Sequence, residues 1–377
     1  MNKLVKKYDI IIFGATGFTG QLVTDYLLLH SDAKDLKIAL AGRNKEKLKN
    51  LALKYNEVNP DTYIADSFDE NSIDEITKLT NLIISLVGPY SLYGEYLVES
   101  CIKNSTHYLD LTGEPNFVKK IRNKFSESKF KSIIMHCCGL ESVIPDVGVL
   151  YAVKKMNSQK KDISFFFKAN GSLSGGTWAS FINAIYSNQI SESIKINVKK
   201  SIRKNNRKFY YSNEFRNWVF VFPDIDKQII YRSSKSSDVY GKNFTFEKYM
   251  MVKNLKQFLV IILSFSFISI LAKFGIFKNW LLSLRPVGSG PSKNQIKKSW
   301  FKAIFVGRGN NEKVKVQLSG GDPGYGDTAK FITEIALCIT NQYELLSKKE
   351  GIVTPVECTG ELMIDRLKSA GIKFEKL

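Results

Sequence analysis

The chain has 377 residues, of which 44% are hydrophobic and 24% are charged, and its formal net charge is +19. A chain of this length and composition forms about two or three globular domains, which excludes a disordered or fibrous protein. Its five cysteines do not make a disulfide framework and lack the spacing of zinc ligands, so the sequence predicts a reducing compartment and no metal site.

Strands and helices are predicted to alternate through the first 140 residues. The residues before Gly14 include lysines but no uninterrupted apolar core, so no secretory signal is expected. Apolar runs predict strands at Tyr8–Phe13, Lys37–Ala41, Thr62–Ala65, Asn81–Val87, His107–Leu111 and Ser132–Cys137. Helical spacing predicts helices at Gln21–His30, Lys45–Lys54, Ser72–Leu79, Gly94–Lys103 and Asn116–Ser128. This alternation predicts an α/β fold with a doubly wound parallel sheet, a Rossmann domain over residues 1–148.

Beyond Pro145 the pattern is less regular. The segment Cys138–Asp146 is interpreted as a turn with a cap that leads into a second domain. In that domain, strands are predicted at Ile163–Ala169, Trp300–Val306 and Glu312–Leu318, and helices at Thr177–Ser187 and Thr328–Thr340. We therefore expect an α+β domain over residues 149–377, whose last residues can pack back on the first domain.

The positive charge lies in the second half of the chain. Residues 1–150 contain 18 Lys and Arg against 19 Asp and Glu, whereas residues 151–377 contain 37 against 17. A basic tract over residues 195–256 holds 15 of those 37. Such a surface suits an anionic partner, either nucleic acid or a lipid surface. No nucleic-acid-binding module is recognisable, so nucleic acid is not expected as a partner.

An apolar segment over residues 258–284 follows the basic tract and is interrupted by Lys273 and Lys278. Its uncharged run Phe258–Ala272 has 15 residues, fewer than the roughly 20 that a spanning helix needs. The combination predicts a cytoplasmic protein that is peripheral or monotopic on the anionic, cytoplasmic face of a membrane. The alternative is a buried helix of the second domain that lines a site for an acyl chain.

A glycine-rich turn joins the first strand to the first helix and reads Gly14-Ala15-Thr16-Gly17-Phe18-Thr19-Gly20. This is the context in which a dinucleotide fingerprint occurs. Gly14 permits the tight turn, Gly17 lets a pyrophosphate approach the backbone, and Gly20 lets helix and strand pack closely. The phosphates then bind the free N–H groups at the helix N-terminus.

The end of the second strand indicates which dinucleotide binds. NAD sites place an acidic residue there for the ribose 2′-hydroxyl, whereas this chain has Arg43 and Asn44. A guanidinium at this point suits a 2′-phosphate and can also stack on adenine, so NADP(H) is favoured, with NAD as the alternative. Asp66 follows the third strand and is either a ligand of the adenine amine or a helix cap.

Val87, Gly88 and Pro89 close the fourth strand beside the switch point of the sheet, where nicotinamide and substrate are expected to meet. Tyr90 and Tyr93 follow and are the candidate proton donors, although most tyrosines in such a chain serve packing. Asp110 and Glu114 end the fifth strand at the same edge and need partners if they are buried. The histidines His30, His107 and His136 are interpreted as structural.

Nine segments spread over nearly the whole chain carry a family resemblance: Gly14–Gly20, Leu40–Arg43, Val87–Glu95, His107–Glu114, Cys138–Asp146, Ser174–Thr177, Gly290–Ser292, Gly321–Lys330 and Gly351–Pro355. Together they resemble the saccharopine dehydrogenase-like oxidoreductases, in the branch that includes the trans-acting enoyl reductases. The sequence departs from the family pattern at Glu141, usually Asp, and at Ile144, where a small residue is common.

The resemblance implies an NAD(P)-binding Rossmann domain and an α+β second domain. It also implies association with membranes or lipid droplets in some members, and a role in complex lipid synthesis in the mycobacterial ones. There the reduced bond is an enoyl double bond on a polyketide-type acyl chain.

The sequence therefore predicts an NADP(H)-dependent oxidoreductase that reduces an enoyl or other activated double bond of an apolar, lipid-linked substrate at a membrane surface. One alternative is a non-catalytic, NADPH-binding scaffold or redox sensor on a membrane or lipid droplet. The other is a soluble amino-acid dehydrogenase of the saccharopine type. The substrate's identity and the direction of reaction stay open, and a homodimer is among the assemblies that the sequence leaves open.

Overall fold

The computed structural model describes residues 6–171, 175–186, 208–221, 225–286 and 288–377. Residues 195–207 and 222–224 of the basic tract, Ser187 at the end of a predicted helix, and Ser174 of the family segments lie outside this described part. The chain divides into two compact units, each built from two stretches of sequence. The first unit contains Met1–Val143 and Tyr325–Ala370, and the second contains Ile144–Gly324 and Gly371–Leu377.

The sheet of the first unit has seven parallel strands in the order β13-β6-β5-β4-β1-β2-β3. The strands are β1 (Tyr8–Phe13), β2 (Ile38–Gly42), β3 (Asp61–Ile64), β4 (Thr80–Ser85), β5 (His107–Asp110), β6 (Ile133–Met135) and β13 (Gly351–Val353). The first helices are α1 (Phe18–Leu28), α2 (Lys45–Ala52), α3 (Glu70–Leu79), α4 (Tyr90–Tyr93), α5 (Glu95–Lys103) and α6 (Pro115–Lys124). The predicted doubly wound parallel sheet is confirmed.

The strands at the centre of this sheet are apolar throughout because both of their faces are covered. Ile10, Ile11 and Ile12 of β1 have no exposed surface, and neither do their neighbours in β4. An uninterrupted apolar run is the pattern expected of such strands. The sequence predicted six strands; the seventh, β13, is only three residues long and is too short to show a period of its own.

The second unit contains a mixed sheet of seven strands in the order β14-β12-β11-β7-β10-β9-β8. The strands are β7 (Lys160–Asn170), β8 (Phe209–Ser212), β9 (Asn217–Val221), β10 (Asn243–Val252), β11 (Trp300–Arg308), β12 (Lys313–Gly320) and β14 (Lys373–Lys376). Strands β7 and β10 are parallel, and the remaining pairs are antiparallel. An α+β architecture beside the Rossmann sheet was predicted.

The remaining helices, in chain order, are α7 (Leu140–Val153), α8 (Gly175–Tyr186), α9 (Asp226–Ser233), α10 (Leu255–Leu271), α11 (Gly275–Ser283), α12 (Lys293–Lys298), α13 (Gly326–Asn341), α14 (Pro355–Thr359) and α15 (Leu362–Ser369). The prediction of a turn at Cys138–Asp146 is wrong, because α7 begins at Leu140 and contains Pro145. Burial overrides the low helix propensity of proline here: Ile144, Val147 and Val149 have no exposed surface.

Helices α10 and α11 present an extensive apolar surface to solvent. No residue of α10 is fully buried, and its Leu263 and Phe267 are 66% and 63% exposed. One side of the pair is anchored: Phe258 packs on Phe209 and Phe181 packs on Phe265, with ring centroids 4.3 and 5.5 Å apart. Among the helices that the structure describes, none combines the length and apolarity needed to cross a bilayer.

Residues 325–370 complete the first unit through α13, which is buried along most of its length. Its Glu334 is 2% exposed and is held from two sides. The Tyr26 hydroxyl donates to Glu334 Oε1 at 2.7 Å, and Arg366 Nε donates to Oε2 at 2.6 Å. Arg366 also pairs with Asp32 at 3.0 Å. This network joins α1 to α13 and α15, and burial together with the bond to Glu334 raises the pKa of Tyr26.

The substitution Arg366→Ala is expected to lower the free energy of unfolding by about 3–5 kcal/mol, because it leaves the buried Glu334 carboxylate without its cation. Chemical denaturation followed by circular dichroism measures this loss. The control is Lys103→Ala, which removes an exposed ion pair with Asp74 and should cost less than about 1 kcal/mol. Equal losses in the two variants would contradict a stabilising role for the network.

Candidate nucleotide-binding site

The glycine turn between β1 and α1 has no room for side chains at two of its three glycines. Gly14 has a φ of +87°, and a Cβ atom there would lie 2.9 Å from Val87 Cγ2. A Cβ atom on Gly20 would lie 2.2 Å from the Gly14 carbonyl oxygen. The turn is closed by a hydrogen bond of 3.0 Å from the Gly17 N–H to that same oxygen. Only glycine lets the chain turn and α1 pack against β1 at this distance.

The N-terminus of α1 is available to an anion. Within the described chain, no side chain caps this helix end, and no acidic residue lies in its first turn. Thr16, Phe18 and Thr19 are half-buried around it, so the N–H groups face a partly open surface. Unpaired N–H groups and the helix dipole both favour a phosphate at such a place.

The aromatic ring of Phe18 is supported from the far end of the sequence. Its edge contacts the ring of Tyr325, with ring centroids 5.1 Å apart. Tyr325 is 2% exposed and immediately precedes α13. The segment Gly321–Lys330, which the sequence analysis singled out, thus contributes Tyr325 to the packing beneath the glycine turn.

The three residues predicted to bind the adenosine part of the nucleotide differ in the hydrogen bonds that they make within the protein. Arg43 is exposed at the end of β2, and no described residue pairs with its guanidinium. Asn44 caps α2, because its side-chain oxygen accepts the Lys47 N–H at 2.9 Å. Asp66 Oδ1 accepts the Phe68 N–H at 3.0 Å and so shapes the turn after β3. Of the three side chains, Arg43 alone makes no hydrogen bond or ion pair with the described residues.

At the end of β4, Val87 and Pro89 are half-buried and Gly88 is exposed, so this backbone is accessible at the edge of the sheet. Tyr90, by contrast, is 7% exposed. Its hydroxyl donates to the Ser85 carbonyl at 3.1 Å and accepts the Leu111 N–H at 3.2 Å, and burial raises its pKa well above the usual range. Both bonds hold the Tyr90 hydroxyl within the protein interior.

Tyr93 occupies a more open position on the same short helix. It is half-buried, and the edge of its ring packs on Phe68 with centroids 5.3 Å apart. Phe68 itself is 73% exposed and belongs to the loop after β3. Of the two predicted proton donors, Tyr90 is therefore held in the interior and Tyr93 is partly exposed.

Two buried carboxylates shape the same edge. Glu114 accepts the Tyr90 and Ser91 N–H groups at 2.8 and 3.0 Å, one with each oxygen, and thereby caps α4. Asp110 accepts the Cys137 N–H at 3.1 Å and lies 2.6 Å from His136 Nδ1, so it joins the ends of β5 and β6. The sequence predicts that these carboxylates need partners if they are buried, and the fold identifies the partners.

The three histidines occupy ordinary structural positions. His30 Nδ1 accepts the Asp32 N–H at 3.1 Å, and His107 Nδ1 accepts the Ile133 N–H at 2.9 Å. His136 is 4% exposed beside Asp110. Across the residues that the structure describes, no cluster of His, Cys, Asp and Glu could hold a metal ion.

This strand order, the glycine turn and the open helix N-terminus define a dinucleotide-binding Rossmann domain. Residues 10–131 match the family described as the saccharopine dehydrogenase NADP binding domain. In fold, 98% of the chain superposes on the whole of a saccharopine dehydrogenase (L-Glu forming) from Saccharomyces cerevisiae, with a TM-score of 0.58 and 11% sequence identity.

Relatives of similar length share low identity with this chain over almost all of it. The "Lipid droplet localized protein" of Caenorhabditis elegans is 27% identical over 98% of both chains. A saccharopine dehydrogenase-like oxidoreductase of Rattus norvegicus is 27% identical over 98% of this chain and 97% of its own. A Mycobacterium tuberculosis protein named as a trans-acting enoyl reductase is 24% identical over 100% and 99%. The chain is thus similar over almost its whole length to saccharopine dehydrogenase-like oxidoreductases and is an NAD(P)-dependent oxidoreductase.

The substitution Gly17→Val is expected to weaken NADPH binding at least about tenfold, because its side chain would occupy the place of the pyrophosphate. A Cβ atom on Gly17 would lie 3.3 Å from the Gly14 carbonyl oxygen, a close contact but a milder one than the 2.2 Å approach at Gly20. Fluorescence titration with NADPH measures the affinity, and thermal unfolding checks the fold. Gly20→Ala is the matched comparison, because there the backbone clash predicts a loss of stability as well. Unchanged NADPH affinity in Gly17→Val would contradict this phosphate site.

Proposed function

We propose that this oxidoreductase uses NADP(H) to reduce an enoyl or similarly activated double bond of a lipid-linked or polyketide-type substrate at a membrane surface. One observation carries the proposal: the same chain combines a dinucleotide site with a helical pair that exposes large apolar side chains. The name of the mycobacterial relative, an enoyl reductase, supports the class of reaction. The name of the nematode relative, a lipid droplet localized protein, supports the surface.

The choice of NADP(H) depends on Arg43. An exposed guanidinium at the end of β2 can bind a 2′-phosphate with two hydrogen bonds, and no acidic residue competes for a ribose 2′-hydroxyl at positions 43 and 44. The match of residues 10–131 to an NADP binding domain agrees with this choice. Asn44 and Asp66 then act through the loops that they shape.

Reduction of a double bond needs a hydride at one carbon and a proton at its neighbour. When bound, the reduced nicotinamide supplies the hydride. The protein positions the substrate, excludes water and supplies the proton. The accessible backbone at Val87, Gly88 and Pro89 is the place for the nicotinamide. Tyr93 is the candidate proton donor. Tyr90 stabilises this edge of the sheet through the two hydrogen bonds of its hydroxyl to the backbone.

The surface of α10 and α11 is suited to the headgroup region of a membrane. Each large apolar side chain that is fully buried contributes about 1.5–3 kcal/mol, and each lysine near an anionic surface about 1 kcal/mol. Lys253 and Lys256 flank the start of α10, while Lys273 and Lys278 lie at the junction and within α11. A handful of these contacts is enough to hold the protein at a cytoplasmic membrane face without a spanning helix.

A non-catalytic scaffold at the same surface is the second candidate, and the exposed apolar helices favour it equally. A soluble amino-acid dehydrogenase is the third; the yeast enzyme shares its fold, but the exposed apolar side chains of α10 and α11 are typical of an interaction surface and are not explained by that activity. Turnover separates the first two candidates. The purified protein should consume NADPH when a long-chain 2-enoyl thioester is supplied in vesicles, and binding of NADPH without turnover across enoyl substrates would favour the scaffold.

The substitution Arg43→Ala is expected to weaken NADPH at least about tenfold and to leave NADH nearly unchanged, because it removes the cation for the 2′-phosphate. Titration of both nucleotides against the same preparation gives the ratio. Lys45→Ala, an exposed cation two residues further on, is the control and should affect both nucleotides little. Equal losses of NADPH and NADH in Arg43→Ala would remove the argument for the 2′-phosphate.

The double substitution Leu263→Asp and Phe267→Asp is expected to abolish flotation of the protein with vesicles that contain phosphatidylserine, because it places charge on the apolar side of α10. The control is Leu29→Asp with Leu345→Asp, which are 79% and 66% exposed in the first unit. Both double variants should still bind NADPH. Flotation that persists in the α10 variant would contradict membrane contact through this helix.

A further inference from the structure

The mixed sheet of the second unit carries a cavity that belongs to neither the nucleotide site nor the apolar helices. Its volume is about 510 Å³, within the range of small-molecule sites. The base consists of apolar side chains, with Met251 and Ile304 buried and Phe215 and Trp300 half-buried at its sides. Lys168, which is half-buried, and Lys302, which is exposed, also line this cavity.

The two lysines occupy directly opposite positions in the antiparallel pair of β7 and β11. Like charges at such positions repel each other and destabilise a sheet. Lys168 Nζ donates to Asn217 Oδ1 at 3.0 Å, a neutral partner, and in the described structure neither lysine has a carboxylate within ion-pair distance. An anion bound between them would relieve the repulsion.

The carboxylates near this face of the sheet are already engaged. Glu214 lies 3.4 and 3.2 Å from the ammonium groups of Lys313 and Lys315. Glu375 accepts the side-chain amide of Gln317 at 2.7 Å. Among the described residues, neither of these carboxylates is therefore a counter-charge for Lys168 and Lys302, and a bound anion can serve as one.

The cavity lies where the apolar helices leave the sheet and where the chain returns. Met251 is four residues before Leu255, the first residue of α10. Trp300 is the first residue of β11, which follows α12. Both residues line the cavity. Phe258 of α10 packs on Phe209 and Phe220, which the strand register places near the same end of the sheet but on its other face.

We infer that the cavity between Lys168 and Lys302 binds the phosphate headgroup of an anionic membrane phospholipid, with the glycerol and first acyl carbons against Met251, Ile304 and Trp300. This inference rests on the proposed contact of α10 and α11 with a membrane surface. Two cations above an apolar base match a ligand that is charged at one end and apolar at the other. The site is separate from the nucleotide site and selects the surface to which the protein binds.

The test uses the full chain in an uncharged detergent, titrated with dihexanoyl phosphatidic acid and followed by tryptophan fluorescence. Dihexanoyl phosphatidylcholine, whose choline cation balances its phosphate, is the comparison with no net charge, and inorganic phosphate is the comparison without acyl chains. We expect saturable binding of the phosphatidic acid, with a signal that Trp300→Phe removes. Lys168→Gln combined with Lys302→Gln should weaken it about 10- to 100-fold.

The matched control is Lys297→Gln with Lys298→Gln, which removes the same charge from exposed positions just before β11. It should keep the affinity, and all variants should keep NADPH binding, which reports a folded protein. Equal losses in the two double variants would overturn the site in favour of general electrostatics. Inorganic phosphate that binds as tightly as the lipid would overturn the lipid as ligand.

The test of the headgroup site gives a result that is separate from the tests of the proposed function. The titration uses no vesicles and no substrate, so its outcome does not depend on flotation through α10 or on turnover of NADPH. Loss of flotation in the Leu263 and Phe267 variant alone tests the membrane contact, and titration of the lysine variant tests the headgroup site.

Discussion

The packing of α1 on β1 allows nothing larger than a hydrogen atom at position 20. A Cβ atom there would lie 2.2 Å from the Gly14 carbonyl oxygen, which also accepts the hydrogen bond that closes the turn. This single close approach aligns the axis of α1 with the edge of the sheet and leaves its first N–H groups open. The nucleotide site, the contact of Phe18 with Tyr325 and the position of the adjoining β4 all depend on it.

Much of the first unit could be predicted because short stretches of sequence determine its main features. An uninterrupted apolar run such as Tyr8–Phe13 can be stable only between two layers of helix, and a turn with three glycines permits few conformations. The helix α7 could not be predicted in the same way. Pro145 argues against a helix locally, and only the burial of Ile144, Val147 and Val149 overrides it.

In the candidate site, too, some residues could be identified from local sequence and others only from the fold. Arg43 could be identified from sequence because an exposed cation at a strand end needs no tertiary partner to be placed. The difference between Tyr90 and Tyr93 could not, since it comes from Ser85 and Leu111, which reach the Tyr90 hydroxyl only in the folded sheet. The two lysines of the second sheet are likewise far apart in sequence and meet only through the register of β7 and β11.

The first unit is built from two separate stretches of the chain, and this has a consequence for folding during synthesis. Helix α13 and strand β13 belong to the nucleotide-binding unit but follow the second unit along the chain. A ribosome that has reached residue 324 has therefore released a sheet whose β6 edge is bare and whose α1 lacks its neighbour. Bare strand edges associate with other chains, so this interval is one in which a chaperone would be useful. The nucleotide-binding unit is thus completed late in synthesis, after the apolar helices α10 and α11 have already emerged.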